Sequence, residues 1–269
     1  MATALITGGN IGLGAAFARR LAADGHDLVL VARDKARLEA IAGQLQTAHG
    51  VHVEILPADL AVPAERTLVE QRLADSSAPI DMLVNNAGTI VRDLFDEAPM
   101  DALQEEHDVN VTAVLRLTRA ALPGMISRGR GAVINVASFA GYLSPAGWAY
   151  AAGKGWVLSF TDTIAGSLGG TGVRAIALAM GSVRTGYHER NGMPSGTSRL
   201  WLEPDAVVDR CLDDLARGRQ LSVPGPVYRA VVDVLELPRR GLRGLSRLAR
   251  RNRERGVSRG EAMATIPLR

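Results

Sequence analysis

The chain has 269 residues, of which 47% are hydrophobic and 22% charged, a composition typical of a globular protein that can bury a core. No apolar run reaches the ~18 residues that a transmembrane helix needs. The first residues show neither the basic nor the hydrophobic segment of a secretory signal. The single cysteine, Cys211, excludes an intramolecular disulfide and a cysteine-cluster metal site. These features predict a cytoplasmic protein without a bound metal.

The positive charge is concentrated at one end of the chain. Residues 239–269 contain ten arginines and two acidic residues, a net charge of +8, whereas the preceding 238 residues carry −5. The body of the protein therefore offers no basic surface for nucleic acid, and no nucleic-acid partner is expected.

Leu242, Leu245 and Leu248 share one helical stripe among the arginines of residues 239–269. Such a basic amphipathic segment can lie on an anionic membrane, contact another subunit, bind nucleic acid or remain a solvated extension. Three leucines bury little apolar surface, so contact of this extension with a membrane surface is open but not favoured.

Apolar runs and helical periodicities alternate along most of the chain. Six continuously apolar strands are predicted, at 2–7, 27–32, 51–56, 80–84, 131–136 and 173–179. The helices between them are predicted at 11–23, 34–48, 63–75, 100–127 with a break, and 148–168. A helix at 204–217, a seventh strand at 220–223 and a helix at 227–237 follow. This order predicts an α/β fold, a doubly wound, Rossmann-type parallel sheet with helices on both faces.

The domain organisation follows from the same pattern. We expect a single domain over residues 1–238, followed by the Arg-rich extension 239–269. Residues 182–203 hold several glycines and few periodic apolar residues. A long irregular segment inside a compact domain is often functional, so we interpret it as a substrate loop or lid, the alternative being a disordered insertion.

Three glycines mark the turn between the first strand and the first helix, in the sequence TGGNIGLG at residues 7–14. Gly8 suits the tight turn, Gly12 allows the backbone to approach a pyrophosphate, and Gly14 lets the helix pack closely on the strand. The free N–H groups of the helix N-terminus attract phosphate. Unless this is a plain strand–helix turn, it predicts a dinucleotide site that includes Gly8, Asn10, Ile11, Gly12 and Gly14.

The end of the second strand bears on which dinucleotide is bound. An NAD-binding fold places an acidic residue there for the ribose 2′-hydroxyl. Here Ala32 is neutral, and Arg33 brings a guanidinium suited to a 2′-phosphate. Asp34 is placed to cap the helix that follows. The sequence therefore favours NADP(H), with Arg33 as a cofactor-binding residue.

Further motifs follow the glycine turn in a fixed order. They are Asp59-Leu60, Asn85-Asn86-Ala87-Gly88, Asn110 in DVNVTAV, Ser138 in INVASFAG, and Tyr150 with Lys154 in YAAGK. With these motifs the chain resembles the short-chain dehydrogenase/reductase family over residues 2–223.

The resemblance implies a catalytic tetrad of Asn110, Ser138, Tyr150 and Lys154, in which Asn110 holds a water connecting Lys154 to solvent. It also implies cofactor contacts. Asp59 and Leu60 would hold adenine, and Lys154 the ribose. The other residues implied to bind cofactor are Asn86, Ala87, Gly88, Tyr150, Val183 and Thr185.

The residues themselves support this chemistry. Tyr150 and Lys154 are four positions apart on a predicted helix, so their side chains share a face. A phenol with a pKa near ~10 is a poor acid–base catalyst at neutral pH, and a neighbouring ammonium favours the phenolate. Ser138, just past the fifth strand, can hydrogen-bond a substrate oxygen where negative charge develops. The alternative is that Tyr150 is an ordinary core tyrosine.

Two positions depart from the family pattern. Met180 stands where the family usually has proline, and Gly153 replaces a small Ser or Ala. Neither change removes a catalytic group. The substrate pocket is expected from residues 89–94, 142–148 and 182–203, whose apolar and aromatic content favours a hydrophobic ketone or an acyl chain.

These observations predict an NADP(H)-dependent oxidoreductase, a ketoreductase that interconverts a carbonyl and a secondary alcohol on a small hydrophobic substrate. One alternative keeps the fold and the cofactor but performs a non-reductive step, dehydration or epimerisation. Another is a cofactor-binding regulator, against which the intact tetrad argues. The resemblance further implies a homodimer or homotetramer assembled through helices 100–127 and 148–168.

Overall fold

The computed structural model describes residues 2–143, 148–185, 198 and 200–236. Its centre is a seven-stranded parallel sheet of order β3-β2-β1-β4-β5-β6-β7. The strands are β1 (Thr3–Thr7), β2 (Asp27–Ala32), β3 (Val53–Pro57), β4 (Met82–Asn85), β5 (Gly131–Val136), β6 (Val173–Leu178) and β7 (Leu221–Ser222). The predicted parallel sheet is confirmed.

Helices connect consecutive strands. They are α1 (Gly12–Ala23), α2 (Lys35–His49), α3 (Pro63–Ala74), α4 (Met100–His107), α5 (Ala113–Ser127), α6 (Ala149–Ser167) and α7 (Pro204–Ala216), and residues 226–236 are also helical. The predicted break in the helix over 100–127 is a π-helical turn, Asp108–Thr112, which joins α4 to α5 without ending the helix. A 3₁₀ turn, Phe139–Gly141, follows β5.

Helices cover both faces of the sheet. Successive residues of a strand point to opposite faces, and in most of these strands apolar residues lie on both faces. In β1, Ala4 and Ile6 belong to a core cluster with buried residues of α1, α2 and α7. Leu5, between them, belongs to the opposite cluster, with buried residues of α3 and α5. The doubly wound architecture predicted from the continuously apolar strands is therefore confirmed.

Thr7, the last residue of β1, fixes the segment that follows β4. Its hydroxyl oxygen accepts hydrogen bonds from the backbone N–H groups of Asn86 (2.9 Å) and Ala87 (3.0 Å). The Asn86 side chain donates to the Thr7 carbonyl at 2.9 Å. These bonds hold the carboxyl ends of β1 and β4 in register, at the point where the strand order reverses.

The chain divides into two compact units, the first ending at Tyr228 and the second beginning at Arg229. The second is described up to residue 236, and this part is helical. The predicted boundary at 238/239 and the extension 239–269 lie outside the described residues, as does most of the predicted lid, at 186–197 and 199. Within the described chain, no helix combines the length and hydrophobicity needed to cross a membrane.

Candidate active site

A cavity of about 910 Å³ opens at the carboxyl ends of the strands. Open α/β sheets bind ligands at this edge, beside the strands where the order reverses, here β1 and β4. All residues predicted to bind the cofactor line the cavity except Gly14: Gly8, Asn10, Ile11, Gly12, Arg33, Asp59, Leu60, Asn86, Ala87, Gly88, Tyr150, Lys154, Val183 and Thr185. Of the predicted catalytic residues, Ser138, Tyr150 and Lys154 line it and Asn110 does not.

The glycine turn is as tight as its sequence predicts. Gly8 has a φ of 65° and donates its N–H to the Val31 carbonyl at 2.7 Å. Gly12 has a φ of 55°, a conformation that L-residues rarely adopt. Gly14 packs against the Gly8 carbonyl so closely that a side chain there would overlap it. Gly14 thus shapes the turn by its contact with Gly8 and does not line the cavity, whereas Gly8 and Gly12 do.

We expect Gly14→Ala to lower the free energy of unfolding by about 1–3 kcal/mol, because the added methyl group displaces the Gly8 carbonyl. Urea unfolding of the purified variant measures this. Gly43→Ala is the matched control, because Gly43 lies in α2 with open space around the position of a Cβ. An alanine there is expected to leave stability unchanged or raise it slightly. Equal destabilisation by both substitutions would contradict the packing role of Gly14.

Two arginines lie at the end of the cavity formed by β2. The Arg33 guanidinium lies 3.6 Å from an Asp59 carboxylate oxygen and 3.5 Å from one of Glu105. Asp34 caps α2, as predicted, by accepting the Arg37 N–H at 3.0 Å. Arg37 also lines the cavity, although the sequence did not single it out. Its place one turn into α2 brings it back to the same rim, where its guanidinium lies 3.0 Å from an Asp34 carboxylate oxygen.

The predicted acid–base pair lies on α6. Lys154 is buried, and its Nζ donates to the Val136 carbonyl at 2.9 Å. The same Nζ lies 5.6 Å from the centroid of the Tyr150 ring. Ser138 follows β5, and its hydroxyl accepts the Ala140 N–H at 3.2 Å as the cap of the 3₁₀ turn. The helix and the strand end thus bring the hydroxyls of Ser138 and Tyr150 to one wall of the cavity.

The pKa of Tyr150 differs from the expectation. Burial of the hydroxyl raises its pKa to about 12, a hydrogen bond with Ser138 lowers it, and the charge of Glu106 raises it further. The lowering that the sequence predicts from Lys154 is not found, because burial of the phenol is the largest cause of the shift and the group that lowers the pKa is Ser138. Tyr150 therefore keeps its proton at neutral pH, as a proton donor must.

Lys154 shows the opposite effect of burial. Its pKa falls to about 8 because the ammonium is removed from water, and the charge of Glu106 opposes this fall. Glu106 itself is buried in α4. Nothing in the sequence singles out this residue, because acidic residues on helices are usually exposed.

Asn110 lies in the π-helical turn and is buried. Its amide donates to the Thr89 carbonyl at 2.8 Å and its oxygen accepts the Thr89 N–H at 3.1 Å. It therefore holds the segment after β4 from behind the cavity wall. The part in a proton relay that the resemblance implies for Asn110 stays a prediction.

Tyr228 is a further cavity residue that the sequence analysis missed. Its ring meets Phe139 edge-on, with centroids 5.0 Å apart. Its hydroxyl accepts the Ser182 N–H at 3.3 Å and donates to the Leu200 carbonyl at 3.1 Å. Gly181 leaves the space that the Tyr228 ring fills. The only signal in the sequence was Gly181, which indicates a close approach but not its partner.

The cavity wall is apolar over most of its surface. The predicted substrate segments contribute to it Thr89, Ile90, Leu143, Trp148, Ser182, Val183 and Thr185. Residues 144–147 of the second segment lie outside the described part of the chain.

Comparison with known proteins places this arrangement in a family. The family model for short chain dehydrogenases matches residues 2–193. The chain belongs to this family. Members of the short-chain dehydrogenase family are oxidoreductases that use a nicotinamide cofactor and act on small molecules.

Three relatives cover most of the chain. A short-chain dehydrogenase from Sphingobium yanoikuyae in complex with NADPH has 36% identity and a TM-score of 0.84, over 91% of this chain and 95% of that one. The bulky-bulky ketone specific alcohol dehydrogenase from Comamonas testosteroni has 29% identity and a TM-score of 0.80, over 91% and 94%. A ketoacyl reductase of Nostoc is 33% identical over 196 residues, 72% of this chain and 66% of that protein.

Proposed function

We propose that the protein is an NADP(H)-dependent carbonyl reductase that interconverts a hydrophobic ketone and its secondary alcohol. One observation carries the proposal. Ser138 and Tyr150 share one wall of a cavity whose opposite end holds Arg33 and Arg37. The cofactor supplies the hydride when bound, and the protein supplies the proton.

Tyr150 acts as the general acid in reduction. Its raised pKa keeps the proton in place until negative charge develops on the substrate oxygen. The Ser138 hydroxyl hydrogen-bonds the same oxygen and so stabilises that charge. The Lys154 ammonium stabilises the phenolate left after proton transfer, and Asn110 supports the relay that returns the proton.

The glycine turn fits a dinucleotide. The positive φ angles of Gly8 and Gly12 let the backbone face the cavity without side chains, at the N-terminus of α1. The choice of NADP(H) is supported by Arg33 and Arg37 beside the neutral Ala32, and by the NADPH in the Sphingobium relative. We assign cofactor binding to the residues predicted for it, with Gly14 acting through the shape of the turn.

The apolar wall supports a hydrophobic substrate. Phe139, Leu143, Trp148 and Tyr228 line the same cavity as Tyr150. Two relatives named above act on a bulky ketone and a ketoacyl group, respectively, by their descriptions. Both substrate classes carry a carbonyl beside a large apolar group.

We further propose that the protein is cytoplasmic and forms a homodimer or homotetramer through α4, α5 and α6. Leu115 and Ile126 of α5 support this assembly, since both are more than 40% exposed. Sedimentation of the purified protein tests it, and a monomer would reject it.

A panel of carbonyl compounds tests the proposed activity. Bulky ketones, 3-oxoacyl thioesters and small polar aldehydes are each mixed with NADPH, and loss of the reduced nicotinamide absorbance is followed. We expect the first two classes to be reduced faster than the third. No oxidation of NADPH by any member would reject the proposed reaction.

Removing residues 239–269 is expected to leave NADPH affinity and solubility unchanged, because the whole sheet and the cavity lie within residues 2–228. Cofactor titration and urea unfolding of the truncated chain measure this. Loss of soluble, cofactor-binding protein would show that the extension is part of the folded core or of a subunit contact.

A further inference from the structure

Glu106 is a buried carboxylate without a part in the mechanism above. It is 3% exposed and lies in α4, which packs against α6, the helix that carries Lys154. One of its carboxylate oxygens accepts the Val91 N–H at 2.5 Å. Burying a carboxylate is costly unless it is hydrogen-bonded and faces a positive charge, so its surroundings should explain its presence.

Glu106 and Asn110 lie one turn apart and hold the same segment of backbone. The Asn110 side chain hydrogen-bonds the backbone N–H and C=O of Thr89, and the Glu106 carboxylate accepts the backbone N–H of Val91, two residues further on. Gly88, the residue before Thr89, lies against Lys154: a Cβ at this glycine would be 3.5 Å from Nζ and 3.0 Å from the Asn110 oxygen. The segment fixed by Glu106 therefore forms part of the surroundings of the catalytic ammonium.

The groups that face Lys154 come from each element packed around it. They are the Tyr150 ring on α6, the Val136 carbonyl of β5, Asn110 of the π-helical turn and, beyond direct ion-pair distance, the carboxylate of Glu106 on α4. Of these four, only Glu106 can carry a negative charge at neutral pH. A buried ammonium without such a charge would lose its proton more readily.

We propose that Glu106 is a positioning residue that serves as the buried counter-ion of Lys154 and, through Val91, fixes the segment after β4. The link to catalysis rests on the proposed function, because it matters only where the Lys154 ammonium supports Tyr150. The pairing itself does not depend on any activity.

The charge and the hydrogen bond can be separated by substitution. Burial lowers the pKa of Lys154 to about 8, and the charge of Glu106 opposes this fall. Burial raises the pKa of Glu106, and the Val91 N–H and the charge of Lys154 both oppose this rise. Glu106→Gln keeps an oxygen that accepts from Val91 and removes the charge. Glu106→Asp keeps the charge with a shorter reach. Asp101→Asn is the matched control, since it removes a charge from an exposed position of the same helix.

The chain contains two lysines, Lys35 and Lys154, so isotope-labelled lysine gives two NMR signals. Titration of these signals in the cofactor-free protein measures the pKa of Lys154, with exposed Lys35 as internal reference. We expect Glu106→Gln to lower the Lys154 midpoint by about one pH unit. Glu106→Asp and Asp101→Asn should leave it near the wild-type value. An unmoved midpoint in Glu106→Gln, or an equal shift in Asp101→Asn, would overturn the pairing.

The wild-type protein gives a second measurement that needs no variant to fold. Protonation of Glu106 should produce a smaller inflection in the Lys154 signal, at a pH above the ordinary range of glutamate because the carboxyl is buried. A Lys154 signal without this acid inflection would overturn the proposal.

The pH profile of carbonyl reduction separates this inference from the proposed function. In Glu106→Gln the pKa values of both Lys154 and Tyr150 fall, so the alkaline loss of activity should begin at lower pH than in wild type. A shifted lysine signal in a protein that reduces no carbonyl would reject the function and keep the pairing. An active wild type whose Glu106→Gln variant shows an unshifted lysine signal and pH profile would reject the pairing and keep the function.

Discussion

Tyr150→Phe is expected to lower the turnover of carbonyl reduction by about 10²–10⁴-fold, the range for loss of a positioned general acid. The substitution removes the hydroxyl that carries the proton and keeps the ring beside Lys154. The adenosine end of the cavity, with Arg33 and Arg37, is left unchanged, so NADPH affinity should stay within about twofold of wild type. Steady-state kinetics and a fluorescence titration with NADPH measure the two quantities separately.

A loss of turnover without a loss of NADPH affinity would identify Tyr150 as the acid. Retention of more than about a tenth of the wild-type turnover would show that another group donates the proton, since a lost acid costs at least ~10²-fold. A parallel loss of NADPH affinity would show that the Tyr150 hydroxyl contributes to cofactor binding, and the lost turnover would then not identify it as the acid.

Arg33→Ala is expected to weaken NADPH binding by roughly ten- to a hundredfold and to leave NADH binding nearly unchanged. A charge-assisted hydrogen bond to the 2′-phosphate contributes ~1.5–3 kcal/mol, which corresponds to that range. Because Asp59 and Glu105 already lie beside Arg33, part of its charge is compensated before cofactor binds. Addition of Ala32→Asp should then reverse the preference, because the new carboxylate repels the phosphate and accepts from a 2′-hydroxyl.

Isothermal titration of both cofactors into the wild type and the two variants measures this preference. Arg19→Ala is the matched control, because Arg19 is an exposed arginine paired with Asp205, and neither residue lines the cavity. Equal affinity of the wild-type protein for NADH and NADPH would contradict the assignment, whatever the variants show.

The sheet was predictable because its strands are short, apolar and regularly separated by helices. Strands β1, β2, β4, β5 and β6 bury residues on both faces, as Leu5 and Ile6 of β1 show, so hydrophobicity identifies them. The break expected within residues 100–127 lies at Asp108–Thr112, although its form was not predicted. A π-helical turn keeps the chain helical, and apolar periodicity does not distinguish a change in hydrogen bonding from an interruption.

The candidate site was predictable where a motif fixes both residue type and local geometry, as at Gly8 and at Tyr150 with Lys154. The same motifs do not indicate on which side of the cavity wall a residue stands. Gly14 and Asn110 both lie behind the wall, where they shape the turn and hold Thr89. These positions follow from tertiary packing, which the local sequence does not encode.

Residues brought in from distant parts of the chain could not be found from the sequence. Tyr228 meets Phe139 across 89 positions, and only the folded chain places it over Gly181. Glu106 reads as an ordinary surface acid until α4 packs against α6. The direction of the pKa shift of Tyr150 was missed for the same reason, since burial depends on the whole fold.

Transfer of a deuterium label from NADPH to the substrate tests the proposed reaction most directly. NADPH carrying deuterium at the transferable position of the nicotinamide is incubated with the protein and a reactive ketone, and the product is analysed by mass spectrometry and NMR. We expect an alcohol with one deuterium on the carbinol carbon for each NADPH oxidised. A product formed without label and without oxidation of NADPH, as dehydration or epimerisation would give, would contradict carbonyl reduction.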